Sequence, residues 1–239
     1  MRRALLLVAC GILPQLAHAY GFKAWDQLTH KYVDDRGRVD YARLKADAED
    51  RKQLDRLYDE IGKEDVERLG SKAAREAFYL DAYNTIVWKN VLDHGTRSVQ
   101  DGKFEFFQRS FVVGGKTITL DALEKKIIRP AFKDARVHMA LNCASGGCPQ
   151  LPREAFTPER LDEQLEREAR KFCNEKRNVD FDAAAKTLKL SHIFDWYRDD
   201  FGDPIDWINH HRDGAPLPRD AKIVYADYDW TLNDRNLER

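Results

Sequence analysis

An α+β fold, a single mixed domain of amphipathic helices and short antiparallel strands, is predicted by three patterns in this 239-residue chain. Stretches with apolar residues at helical spacing alternate with short β-type runs. Two glycine-centred reversals lie between such runs: Asp35-Arg36-Gly37 reads as a hairpin or tight turn, and Gly114-Gly115 as a hairpin. No internal repeat or low-complexity linker divides the sequence. The remaining length, about 220 residues after the N-terminal segment, suits one domain with a real core.

Residues 1–19 read as a secretory signal peptide. Arg2-Arg3 is a positive n-region, Ala4 to Leu13 an apolar stretch too short to span a bilayer, and Ala17-His18-Ala19 an A-x-A cleavage signal. The mature domain, 20–239, is then expected in a bacterial periplasm or outside the cell. Leu7-Val8-Ala9-Cys10 resembles a lipoprotein box and provides a minor alternative, an anchor at Cys10. No later segment reads as transmembrane.

In the mature part, Tyr32-Val33 and Val39-Asp40-Tyr41 flank the first reversal. Helices are expected over 44–57 and 71–92, the second with Ser71 as N-cap and Gly95 as its stop. A hairpin over 111–120 leads into a helix over 120–128, capped by Thr119 and ended by Pro130. Alternation of Val137, Met139 and Leu141 with His138, Ala140 and Asn142 predicts a strand. Thr157 as N-cap and Pro158 at N1 start a helix reaching Phe172 or Cys173, with Cys173 on the apolar face of Leu161 and Leu165. Strands over 178–181 and 187–190, a short helix capped by Ser191, and a strand over 223–225 complete the reading.

Lys plus Arg is 40 and Asp plus Glu is 41, a net charge of −1, which removes the electrostatic case for a nucleic-acid partner. The 34% charged content describes a well-solvated surface. No CxxC or HxxxH ligand pair is present, so neither zinc nor any other cofactor is expected.

The segment Arg136 to Pro149 concentrates the candidate chemistry: His138, Cys143 and Cys148, with Gly146-Gly147 between the thiols. Imidazole is the usual base for a thiol nucleophile near neutral pH. On a straight strand Cys143 stands roughly 16 Å from His138, too far to pair. A reversal at the two glycines returns Cys148 towards the ring, and Pro149 at a helix start makes Cys148 an N-cap, where the dipole stabilises a thiolate. Two plainer readings stand beside this one: core filling, and a Cys143–Cys148 disulfide. The mature chain carries three cysteines, so an oxidising compartment leaves at least one unpaired.

The landmarks Tyr32-Val33…Tyr41, Asp81-Ala82-Tyr83-Asn84, 120–129, His138 to Pro149, Phe194-Asp195-Trp196-Tyr197…Asp200-Phe201 and Tyr228-Asp229-Trp230 occur in an order that resembles bacterial members of the domain-of-unknown-function family five-four-seven. The resemblance runs along essentially the whole mature chain. It implies an α+β domain of the kind likened to papain-type thiol hydrolases. Plant relatives typically lack both the histidine matching His138 and the thiol matching Cys148, which favours Cys148 over Cys143 as the working thiol. The family's frequent Glu-His pair is Glu124-Lys125 here.

The implied activity is a cysteine-dependent hydrolase or transferase acting on an amide or thioester of a peptide-like substrate. Cys148 attacks, His138 moves the proton, Glu124 orients the imidazole, and Asn84 donates to an oxyanion. Cys143, Asn142, Trp196 and Tyr197 are the candidate binding positions. Against this, Glu124 reads as a solvated helix carboxylate, Asn84 as a brace for buried backbone, and Trp196, Tyr197, Asp200 and Phe201 as core and capping residues. His192, His210 and His211 are expected to face solvent. The alternative function is a non-catalytic binding domain braced by a Cys143–Cys148 disulfide. A thiol redox role ranks last, for want of a CxxC.

Overall fold

The computed structural model describes residues 22–237, so the expected signal peptide and its alternative, an anchor at Cys10, lie outside the described residues. Helices α1 (Phe22–Tyr32), α2 (Tyr41–Ala46), α3 (Ala48–Lys63), α4 (Lys72–His94) and α5 (Asp101–Gln108) precede a hairpin of β1 (Ser110–Val113) and β2 (Lys116–Thr119). Then come α6 (Leu120–Ala122), a π-helical segment (Leu123–Ile128), α7 (Arg129–Phe132), α8 (Val137–Ala140) and α9 (Leu161–Asn174). Strands β3 (Val179–Asp182) and β4 (Thr187–Leu190), helices α10 (Ile193–Trp196), α11 (Arg198–Phe201) and α12 (Pro204–His211), and strand β5 (Lys222–Tyr225) follow. The fold is α+β.

Helix α4 forms where both end signals were legible. The Ser71 hydroxyl accepts from the Ala74 amide at 3.0 Å, and Gly95 closes the helix with φ +61. Its apolar residues then bury from all sides: Trp88 packs edge-on to Trp25 with ring centroids 4.8 Å apart, and Phe78 and Ile86 are fully covered. Against it lies α3, whose Leu54, Leu57 and Ile61 each contribute roughly 1.5–3 kcal/mol by burial. The β1–β2 hairpin forms as read, antiparallel with Phe111 opposite Ile118. Thr119 caps the following turn by accepting from Ala122 N.

The second sheet is mixed. β3 pairs antiparallel with β4, but β4 pairs parallel with β5, because the chain between them crosses over through α10–α12 and returns in the same direction. Its apolar face, with Leu188 and Leu190, joins Phe172, Cys173, Phe194, Phe201 and Ile208 in a core separate from the one around α4. Cys173 is buried and unpaired there, and burial pushes its thiol up to about 12.

Several expected elements differ. The 136–143 strand is instead the helical turn α8 followed by extended chain. All four of its residues are buried, so there is no wet face for an alternation to report. Pro130 does not end its helix but sits in the first turn of α7, where its missing N–H costs nothing. Helix α9 starts at Leu161 rather than at Thr157, because the buried Gln164 side chain accepts from Thr157 N at 2.9 Å and donates to Ala155 O at 2.8 Å, holding that segment in turns. No helix follows Pro149. Of the two readings of Tyr32 to Tyr41, the tight turn holds and the hairpin does not: a helix end, a turn and a helix start are joined by one Val33–Val39 bridge.

Glu76, on the buried side of α4, has a carboxyl oxygen without a partner; burial, then Asp134, raises its pKa to about 7. Between the ordinary value near 4.5 and about 7 the folded chain keeps a proton that the unfolded chain has released, so this group's contribution to stability is lost as pH rises through that window. Glu76→Gln removes the linkage. The wild type should therefore lose stability relative to E76Q between pH 4.5 and 8 in urea unfolding, and parallel profiles for the two proteins would refute the assignment.

Candidate active site

The two cores meet at α8. Val137 and Ala140 pack into the core around α4, Met139 into the core of the mixed sheet, and His138 stands at the seam. Its ring stacks on Tyr197 of α10–α11 at 3.9 Å between centroids and is 4% exposed. Nε2 lies 2.7 Å from Asp200 Oδ2 of α11; Nδ1 lies 4.0 Å from Glu124 Oε1 of the π-helical segment.

The charges around the ring fix its state. Burial raises Asp200, but hydrogen bonds from Arg129 Nε at 2.6 Å and from His138 outweigh that and hold the carboxyl below its ordinary range. An ionised carboxylate only accepts, so Nε2 carries the hydrogen and Nδ1 the lone pair. Burial pushes the imidazole down to about 4 despite Asp200, so the ring is neutral at neutral pH. Glu124 is shifted the other way: burial raises it, the Tyr197 side-chain hydrogen bond opposes only in part, and Oε1 has no partner. Glu124 and His138 therefore do not form an ion pair at neutral pH.

A cavity of about 330 Å³ opens at this seam, lined by His138, Glu124, Tyr197, Cys143 and Cys148. Its far wall is aromatic: Trp196, 44% exposed, lies along Trp230 at 5.5 Å, and Tyr228 sits 4.5 Å from Trp230. Cys143 and Cys148 are joined by a disulfide. Cys148 is buried, Cys143 partly so. The Cys148 sulfur receives the Cys143 amide at 3.0 Å, the Ser145 hydroxyl at 3.3 Å and the Tyr228 hydroxyl at 3.4 Å.

The loop between the cysteines turns differently from the expected glycine reversal. The left-handed residue is Ala144, φ +64, and neither Gly146 nor Gly147 has a positive φ. Gly147 is needed for closeness instead: a Cβ there would stand 2.8 Å from the Tyr228 ring. The loop is stitched to the chain end by Gly146 N to Thr231 O, Gly147 N to Asp229 O and Asn233 N to Ala144 O. That stitching, absent from any local pattern, brings Tyr228 onto the sulfurs.

Asn84 and Asn142 are braces. Asn84 donates from Nδ2 to Ala140 O at 3.0 Å and accepts from Asn142 N at 2.9 Å, and it does not line the cavity. Asn142 donates to Pro149 O at 2.7 Å and accepts from Ala144 N and Asn233 Nδ2. The carboxylate nearest the imidazole is Asp200, which the sequence reading placed among core and capping residues. Its signal was weak: one acid in an aromatic landmark, 62 residues from His138. Ser145 and Tyr228 had no local signal for their contact with sulfur. Of the three histidines expected to face solvent, His210 does. His211 is buried against Glu166, Nδ1 to Oε2 3.1 Å, and His192 is half-buried between Trp196 and Tyr225, so both are corrected. The aromatic neighbours α12 and β5 supply cover that a linear reading does not reveal.

No curated protein and no solved structure matches the chain. The matching family model takes in α4, Glu124, His138 and both bridged cysteines and ends before Tyr197, Asp200 and Tyr228, a narrower extent than the resemblance along the whole mature chain. Residues 67–173 match the model of the family described as Protein of unknown function, DUF547.

Proposed function

We propose that the protein is a thiol-dependent hydrolase or transferase acting on an amide or thioester of a small peptide-like substrate, working in its reduced form in the periplasm or outside the cell. One observation carries the reading: a neutral imidazole, held by an ionised carboxylate at Nε2 with its Nδ1 lone pair free, lines the same cavity as a sulfur on which three donors converge. An orienting side chain, a histidine and a cysteine are the roles that recur in Cys-His-Asn proteases. Asp200 takes the place of the orienting group here.

In that reaction Cys148, once reduced, gives its proton to Nδ1 of His138 and attacks the carbonyl carbon. His138 returns the proton to the departing amine or thiol, and the acyl group remains on sulfur. Water, deprotonated by Nδ1, then releases the acid; an amine in its place gives transfer. Glu124, whose carboxyl pKa is raised by burial and whose Oε1 has no partner, is placed to donate to the carbonyl or leaving atom when it carries a proton. The cavity volume admits one or two residues of substrate, and the aromatic wall covers its apolar part.

A second reading, a binding domain with a structural bridge, is favoured by the disulfide itself. The two separate in a Cys143→Ser protein, which keeps Cys148 as a thiol, incubated with a phenyl thioester. Acylation of Cys148 seen by mass spectrometry and turnover of the ester are expected. Binding in the cavity, read by tryptophan fluorescence, with no acylation at any pH from 5 to 9 would overturn catalysis and leave the binding domain.

A further inference from the structure

We propose that the Cys143–Cys148 bridge is a thiol–disulfide exchange site, opened by a small-molecule thiol that attacks Cys143 and releases Cys148 as a thiolate. It rests on the proposed function only for its consequence, that opening the bridge frees the nucleophile. The exchange itself stands on the geometry of the two sulfurs.

The sulfurs are unequal. Both line the cavity, but Cys143 is partly exposed and Cys148 is buried, so an incoming thiolate reaches Cys143 first. The Ser145 and Tyr228 hydroxyls lie near both, at 3.1 and 3.6 Å from Cys143 and 3.3 and 3.4 Å from Cys148. What singles out Cys148 is the Cys143 backbone amide, aimed at its sulfur at 3.0 Å and fixed by the loop. A bridged sulfur is a weak acceptor, and three donors on it are poorly used. A thiolate uses them better, because hydrogen bonds to a charged acceptor are about twice as strong, and the Ser145 hydroxyl acts either directly or by donating to the Tyr228 oxygen at 3.0 Å. Arg177 adds positive charge on the same side, with its guanidinium donating to Gly146 O at 2.9 Å and Cys148 O at 3.0 Å. Burial of Cys148 works against the anion, and these groups oppose it. The sulfur that leaves as the more stable thiolate leaves faster.

The step balances. The incoming thiolate forms a bond to Cys143 Sγ, the bridge breaks, and its electron pair goes to Cys148 Sγ. A second small-molecule thiolate attacks the small-molecule sulfur of the mixed disulfide, the bond to Cys143 breaks with its electron pair going to Cys143 Sγ, and the two small thiols leave joined as their disulfide. Cys173 takes no part: it is buried, with a thiol pushed up to about 12.

The test uses the oxidised full chain, glutathione, and acid quenching followed by N-ethylmaleimide and peptide mapping. A glutathione adduct on Cys143 together with an alkylated Cys148 is expected without denaturant. Tyr228→Phe should slow opening on the order of tenfold, as a lost donor to a charged group implies. Ser145→Ala serves if that variant does not fold. Glutathione found on Cys148, or a bridge that opens only in denaturant, would overturn the proposal. Because the readout is thiol mass with no acyl substrate, it fails or succeeds apart from the hydrolase reading. A bridge that exchanges on Cys143 while reduced Cys148 never acylates would retain exchange and discard acyl transfer.

Discussion

Asp200→Asn is expected to lower kcat for thioester turnover by the reduced protein on the order of 10²- to 10⁴-fold, with KM changed much less. The carboxylate at 2.7 Å is what puts the hydrogen on Nε2 and the lone pair on Nδ1, facing Glu124 and the cavity. An asparagine amide can turn its NH₂ towards Nε2 instead, which moves the hydrogen to Nδ1 and removes the lone pair from the nitrogen that does not face residue 200. The charge matters as well: the proton taken from Cys148 makes an imidazolium, and a neutral amide stabilises it less than a carboxylate. Arg129, bonded to the same oxygen at 2.6 Å, loses its partner in this variant, so a structural effect has to be told apart. Ring nitrogen chemical shifts make the distinction. Wild type should show the Nε2–H tautomer and the variant a shifted tautomer ratio, which mere loosening of α11 does not produce. An unchanged kcat with the tautomer moved would mean that His138 is not the base.

The same ring gives a pH signature. In the bridged form His138 stays neutral down to about pH 4. Its folded value lies below the ordinary 6.5, so it takes up a proton in the unfolded chain first, and its contribution to stability is lost as pH falls from about 6.5 to about 4. Reduction, by setting a thiolate into the same cavity, should move the ring's titration upward.

The sequence revealed those parts of the fold whose signals are local. Ser71 and Gly95 bound α4 because a cap and a left-handed stop each act within a few residues. The Gly114-Gly115 hairpin and strands β3 and β4 are legible for the same reason. Where a residue is buried on every side, as along α8, periodicity carries no information, and a turn of helix passes for a strand. The site was half legible. His138, Cys143 and Cys148 share one segment, and their chemistry is recognisable from residue type. Asp200, Ser145 and Tyr228 acquire their roles only through the packing of α11 against α8 and the stitching of 228–233 to the cysteine loop.

That stitching is where the second large effect is expected. Asn142→Ala should destabilise the bridged protein by about 3–5 kcal/mol, measured as a shift of the urea midpoint. Asn142 is 4% exposed and serves three groups at once: Pro149 O, Ala144 N and Asn233 Nδ2. Alanine leaves all three without that partner in a region closed to water, and each orphan costs roughly 1–3 kcal/mol before relaxation. The network extends further, since Asn233 accepts from the Tyr41 hydroxyl at 3.0 Å and Asn84 accepts from the Asn142 amide. Four elements are thus tied at one residue: the Asn142 side chain joins the cysteine loop to the chain end and, through Asn233, to α2, and its backbone N–H joins α4. The neighbouring change Asn84→Ala removes the donor to Ala140 O and the acceptor for Asn142 N, and should cost less. If instead N142A lost under 1 kcal/mol while the bridge stayed closed, the loop would be held by the disulfide alone. The donors around Cys148 would then be a consequence of the bridge, not a site prepared for its thiolate.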